Sequence, residues 1–157
     1  MVLSWALFYF LHTGLAASKL KRILESKWPS NYKWYRLFYS ILASLLFVGI
    51  LIKAIFLPVE AVFVPSSFSQ YAGYMVATGG VIVLLRSIKL ISLKSFLGFS
   101  PDKLERDKSE LIISGIYSQI RHPLYFGLLA IFLGYFMVSG SLGALIHLTC
   151  LVLYLPV

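Results

Sequence analysis

The chain has 157 residues, of which 59% are hydrophobic and only 13% are charged. This apolar share exceeds that of soluble domains, and one core of this size could not enclose it. The composition therefore excludes a soluble globule and predicts an all-α integral membrane protein. The 14 Lys and Arg residues outnumber the six Asp and Glu, giving a net charge of +8. In a membrane protein this excess indicates basic loops beside an anionic leaflet rather than nucleic-acid binding.

Five apolar segments predict a single transmembrane domain, residues 1–157, with five helices. The segments are 2–17, 37–57, 71–92, 123–138 and 142–157. The first is followed rather than preceded by basic residues, which is the reverse of a secretory signal, so we expect a retained helix. The second would extend roughly 31 Å, about one hydrocarbon thickness. Only Ser139, Gly140 and Ser141 separate the last two, which predicts a tight antiparallel hairpin.

The positions of the cations predict a multi-pass orientation. All Lys and Arg residues except Lys53 lie between the first and second segments or beside the connection between the third and fourth. The opposite connection, 58–70, contains Glu60 and no Lys or Arg. The positive-inside rule therefore predicts an external N-terminus, with the basic loops and the C-terminus in the cytoplasm.

The longest predicted cytoplasmic stretch is 93–122. Within it, Ser100 followed by Pro101 is typical of a helix start and predicts a short charged helix to about Lys108. The three histidines, His12, His122 and His147, fall at different predicted depths of the membrane. We therefore predict no metal site.

The cytoplasmic stretch leads into a dense polar and aromatic motif, in which Arg121 and His122 directly precede Pro123. Proline suits the first turn of a helix, because its missing N–H is not needed there. The free amides of that turn would point toward Arg121 and His122 and form a corner that attracts a carboxylate or a phosphate.

Neighbouring residues extend this corner. Tyr117 and Tyr125 contribute aromatic faces and hydroxyls, while Gly127 allows another helix or a flat ligand to approach closely. Singly, Arg121 has a plainer interpretation as a snorkelling anchor, Tyr125 as part of an aromatic belt and Gly127 as a packing notch. The ordered string instead favours a polar cofactor site at the membrane surface. The candidate cofactor-binding residues are Tyr117, Arg121, His122, Pro123, Tyr125 and Gly127.

The same string resembles the signature of the integral-membrane methyltransferases, the superfamily that includes isoprenylcysteine carboxyl methyltransferase. The N-terminal half is similar to the NnrU and methanethiol S-methyltransferase branch. That likeness rests on Trp5, Leu11-His12, the basic run 19–22, Tyr35-Arg36 and Tyr39-Ser40. The resemblance implies that His122, Tyr125 and the backbone near Gly127 line a pocket for S-adenosylmethionine. It identifies no catalytic residue here.

The sequence departs from this superfamily at its end. Family members continue past the helical hairpin into a cytoplasmic segment that closes over the cofactor, whereas this sequence ends at Val157. We therefore expect either a truncated chain or one whose missing segment a partner supplies, and we expect the chain alone to insert correctly but to transfer methyl groups weakly. Appending a homologous tail of about 40 residues, enough for a short lid with one helix, is expected to restore transfer.

Two functions are compatible with these features. The first is transfer of a methyl group from S-adenosylmethionine to a small or membrane-partitioned thiol. The second is a non-catalytic NnrU-like membrane protein that keeps the methyltransferase scaffold and acts as a partner subunit or in an oligomer. In both cases the lipid bilayer is the main partner.

The predicted orientation is testable with two reporter fusions. A reporter after Val157 and another near Ser66 are expected on opposite sides of the membrane, because the cations flank only one set of helix ends. Activity or accessibility of each reporter in intact cells measures its side. Reporters on the same side would contradict the five-helix topology.

Overall fold

A computed structural model gives the fold, and it describes residues 1–56, 58, 60–91 and 114–154. In these ranges the regular elements are helical, which confirms the predicted all-α class. The predicted short helix at 101–108 lies outside the described residues, as does most of the stretch 93–122.

The described chain contains six α-helices and one short 3₁₀ helix. The elements in chain order are α1 (Val2–Ala16), α2 (Ser18–Lys27), α3 (Pro29–Ile55), α4 (Ser67–Leu90), the 3₁₀ helix (Gly115–Ser118), α5 (Pro123–Ser139) and α6 (Leu142–Tyr154). Pro29 and Pro123 each occupy the first turn of a helix, where a proline loses no backbone hydrogen bond.

Two helical segments are long and apolar enough to cross a bilayer, namely Leu37–Ile55 in α3 and Ser67–Leu90. The other apolar helices, α1, α5 and α6, have 15, 17 and 13 residues. At 1.5 Å per residue these extend roughly 20 to 25 Å, less than the hydrocarbon core of about 30 Å. The structure thus supports two membrane spans and does not confirm five.

The basic connection after the first apolar segment differs from the predicted loop, because it contains helix α2 and the first two turns of α3. Ala17 separates α1 from α2, and Trp28 separates α2 from α3; both residues have non-helical backbone angles. Hydropathy marks where a segment is apolar, whereas helices continue through charged residues wherever the backbone allows. For that reason α3 begins at Pro29 rather than at the predicted residue 37.

The helices are arranged in two compact units. One unit contains α1, α2 and α3, and the other contains α4, the 3₁₀ helix, α5 and α6. In the first unit, Trp5 is only 1% exposed and packs its ring against Phe8 and Phe47. The hydroxyl of Tyr35 donates a 2.7 Å hydrogen bond to the carbonyl of Leu15, which fixes the end of α1 beside the start of α3.

In the second unit, α4 and α5 pack backbone against backbone through four glycines. Gly73 lies against Gly134, and Gly80 lies against Gly127, so the two helices are antiparallel. A Cβ atom built on Gly80 would lie 2.7 Å from the carbonyl oxygen of Gly127 and 2.9 Å from the amide nitrogen of Ile131. The glycines on each helix are seven residues apart, two turns, and therefore lie on one face. We call this contact the glycine seam.

The hairpin of α5 and α6 is closed by Gly140 and Ser141, as predicted. Gly140 has a φ of 59° and ends α5 in the left-handed conformation that glycine adopts most readily. Backbone hydrogen bonds fix this turn to the preceding connection. The amide of Val62 donates to the carbonyl of Gly140 at 2.8 Å, and the amide of Leu142 donates to that of Glu60 at 2.7 Å.

The glycine seam predicts different effects for two adjacent glycines of α4. Gly80→Ala places a methyl group against the backbone of α5, so we expect it to lower the stability of the fold by about 1–3 kcal/mol. Gly79→Ala is the matched control, because a Cβ there meets nothing within 4 Å. Thermal unfolding of both variants in one detergent measures the difference. Equal unfolding temperatures would contradict close packing at the seam.

Candidate functional site

The candidate site lies at the N-terminus of α5. His122 precedes the helix with φ −127° and ψ 64°, and its side chain does not cap the first turn. The backbone amide of Phe126, which bonds the carbonyl of His122 at 3.1 Å, donates the first hydrogen bond of the helix. The amides of Leu124 and Tyr125 come before this bond, so the helix itself provides no acceptor for them. They form the amide corner that the sequence predicts.

The 3₁₀ helix positions Tyr117 ahead of this corner. Gly115 begins it with a φ of +61°, and the Ser118 hydroxyl donates a 2.7 Å hydrogen bond to the Gly115 carbonyl. Gly115 also packs against Leu90, the last residue of α4. Tyr117 is half-buried, and this burial raises the pKa of its phenol. Its side chain is therefore a neutral hydroxyl that can donate or accept a hydrogen bond.

The exposed part of the site consists of Arg121, His122 and Tyr125. The rings of His122 and Tyr125 stack with centroids 5.9 Å apart and an interplanar angle of 26°. Tyr125 is 49% exposed, and Arg121 and His122 are exposed as well. A permanent cation and an open aromatic surface thus adjoin the free amides.

Pro123 and Gly127 occupy a different face of α5. Four residues apart, they share one side of the helix, and both are buried. Gly127 lies against Gly80 and Leu84 of α4. The sequence left two roles open for Gly127, the close approach of another helix or of a flat ligand. The structure has a helix, α4, beside its Cα. Tyr125, two residues away, lies on nearly the opposite side of α5.

Two more cations lie at this end of the helix pair. Because α4 runs antiparallel to α5, its last turns lie beside the start of α5, as the contact of Leu90 with Gly115 shows. Arg86 and Lys89 occupy these turns and are exposed. With Arg121 they produce a positive potential that attracts anions. The sequence predicts that both residues are cytoplasmic, but it does not show that they lie beside the start of α5. The seven-residue spacing of glycines in both helices is the signal that could have predicted the pairing.

The second half of the chain is similar to a family of known proteins. The phospholipid methyltransferase family model matches residues 68–156, which is more than half of the chain and includes all six candidate residues. No curated protein and no solved structure matches the chain. The family match covers α4, the 3₁₀ helix, α5 and α6, and it confirms the resemblance to membrane methyltransferases. The chain therefore belongs to the phospholipid methyltransferase family.

Proposed function

We propose that this protein is a membrane methyltransferase that uses S-adenosylmethionine, and that the cofactor binds at the N-terminus of α5. The observation that carries the proposal is the His122–Tyr125 ring pair, which is exposed beside free backbone amides and Arg121. This arrangement lies within the region that matches the family.

The residues present fit the chemical groups of this cofactor. Its carboxylate suits the amides of Leu124 and Tyr125 together with the Arg121 guanidinium, since both are hydrogen-bond donors in a positive potential. Its adenine is a flat aromatic ring and suits the open aromatic surface of Tyr125. The neutral Tyr117 hydroxyl suits a ribose hydroxyl as a hydrogen-bond partner.

When bound, S-adenosylmethionine supplies a methyl group on a positively charged sulfur. The roles of this chain are to bind, orient and shield. Displacement requires the acceptor to lie in line with the carbon–sulfur bond that breaks, so positioning supplies much of the rate. A thiol acceptor reacts as its thiolate, and its proton leaves to solvent before the new carbon–sulfur bond forms. We assign no general base.

We propose a small or membrane-partitioned thiol as the methyl acceptor, in line with the resemblance of the N-terminal half to the NnrU and methanethiol S-methyltransferase branch. The family description favours a second acceptor class, because it names phospholipids. An amine-bearing phospholipid headgroup is therefore the second candidate. A third possibility is a non-catalytic NnrU-like scaffold that acts with a partner subunit or as an oligomer.

The proposed location of the site is the cytoplasmic face of a multi-pass membrane protein. This orientation rests on the cations, because Arg86, Lys89 and Arg121 all lie at the end of α4 and α5 that carries the site. Cytoplasmic placement would give the site direct access to a soluble cofactor.

Cofactor binding is expected to depend on His122. His122→Ala removes one ring of the stacked pair and should weaken binding of S-adenosylhomocysteine about three- to tenfold, which corresponds to the loss of one aromatic contact. His147→Ala should alter stability instead, because His147 is buried in α6 against Phe132. Gln119→Ala, at an exposed neighbouring position, is the matched control. Calorimetry on folded protein measures all three. Equal losses in the three variants would remove the support for this site.

Methyl transfer distinguishes the proposed functions. The purified chain is supplied with S-adenosylmethionine carrying a labelled methyl group and with thiols of increasing hydrophobicity or vesicles of phosphatidylethanolamine. We expect label to appear on a thiol. Label on the phospholipid alone would favour the second acceptor class. Binding without any transfer would favour the non-catalytic scaffold, and absence of binding would contradict the proposed cofactor.

A further inference from the structure

Helix α2 is a structural element outside the region that matches the family. It has ten residues and a length of about 15 Å, which is too short to cross a membrane. Its N-terminal neighbour Ala17 has φ −59° and ψ 130°, and its C-terminal neighbour Trp28 has φ −137° and ψ 66°. Both junctions are non-helical, so α2 is an independent helix rather than an extension of α1 or α3.

The contacts of α2 place it at the boundary between apolar and polar sequence. The Lys21 ammonium lies 5.5 Å from the centroid of the Tyr39 ring, within cation–π distance. Tyr39 is two residues inside the apolar span that begins at Leu37. The hydrogen bond from Tyr35 to Leu15 brings the end of α1 to the same level. Helix α2 therefore lies at the level where the apolar parts of α1 and α3 end.

The side chains of α2 are divided between two faces. Leu20, Lys21 and Leu24 are half-buried. The opposite face is exposed and has Lys19, Ile23 and Lys27 at successive four-residue intervals, with Arg22 beside them. Ile23 is 43% exposed, so one branched apolar side chain lies among three cations. Cations with an exposed apolar side chain among them suit the headgroup level of a leaflet, where anionic groups lie next to the acyl chains.

Two exposed tryptophans accompany this face. Trp28, which ends α2, is 62% exposed, and Trp34, in the second turn of α3, is 54% exposed. Tryptophan is enriched at the headgroup level, where its ring is apolar and its N–H still reaches polar groups. The sole acidic residue of α2, Glu25, is on the half-buried side, so the outer face is uniformly cationic.

We propose that the outer face of α2, formed by Lys19, Arg22, Ile23 and Lys27, binds the headgroups of anionic phospholipids while the helix lies in the plane of the leaflet. Charge complementarity selects the lipid, because three cations over about 12 Å attract phosphate groups that lack a compensating amine. Ile23 and Trp28 supply the apolar contact with the upper acyl chains. The proposal uses no residue of the methyltransferase site and holds whether or not the chain transfers methyl groups.

The test measures lipid preference next to α2 in the full-length chain. The lone cysteine is removed as Cys150→Ser, and Ser26→Cys on the exposed side of α2 carries a fluorescent donor. The protein is reconstituted in phosphatidylcholine nanodiscs with a trace of acceptor-labelled phosphatidylglycerol. Unlabelled phosphatidylglycerol is expected to abolish energy transfer at a much lower mole fraction than an uncharged diluent lipid. The ratio of the two fractions is the anionic preference.

Charge-removal variants connect this preference to α2. Replacing Lys19 and Arg22 with glutamine should lower the preference at least about fivefold, since the loss of one surface cation alone corresponds to about a fivefold change in binding. Lys53→Gln removes an exposed cation from the last turn of α3, at the end away from α2, and is the control. Raising the salt from about 0.1 to 1 M should also lower the preference, because the screening length falls from about 10 to 3 Å.

Three results would overturn the proposal. They are equal displacement by charged and uncharged lipid in the unmodified chain, an equal loss of preference in the Lys53 control, and a preference that is insensitive to salt. Because Lys19 and Arg22 are exposed, their replacement leaves the packing of α2 intact, and circular dichroism of each variant checks its helix content.

Discussion

The antiparallel contact of α4 and α5 is the constraint on which the candidate site depends. The two backbones approach so closely because four glycines face each other across the contact. A methyl group at Gly80 or Gly134 would meet backbone atoms of the opposite helix. Without a hydrophobic driving force between helices in lipid, such close van der Waals contact is a main source of association. The contact also fixes the level of the first turn of α5 relative to the last turn of α4. Arg121, just before α5, therefore lies at the same end as Arg86 and Lys89 of α4.

Local features of the sequence predict where the site begins and ends, but they predict less well which distant residues pack against it. The start of α5 at Pro123 and the turn at Gly140 follow from the conformational limits of proline and glycine, which act within one or two residues. The partners of Gly127 are about 45 positions away along the chain, and a glycine does not encode what approaches it. Gly127 alone therefore does not identify Gly80 as its partner, and the signal that relates the two is the seven-residue glycine spacing shared by α4 and α5.

Helix α2 shows that hydropathy alone also misses structure that is local in the sequence. Its charged composition predicts a loop when hydropathy alone is considered, although Leu20 and Leu24 are spaced for one helical face. The lengths of the apolar helices are a further difference. Helix α1 has only 15 residues, although it lies in a predicted transmembrane segment. Hydropathy predicts an apolar environment, but it does not determine how many residues of the segment are helical.

The separation of faces on α5 has a consequence for how this protein can diversify. Gly127 and Pro123 are buried in packing contacts, so substitutions there disrupt the fold and selection removes them. Tyr125 and His122, on the open side, contribute little to packing, so selection for a new ligand can change them without a cost in stability. Descendants of one ancestral scaffold could in this way acquire different substrates while the spacing of glycines stays constant. A search for distant relatives would therefore gain from the glycine spacing as well as from the residues of the site.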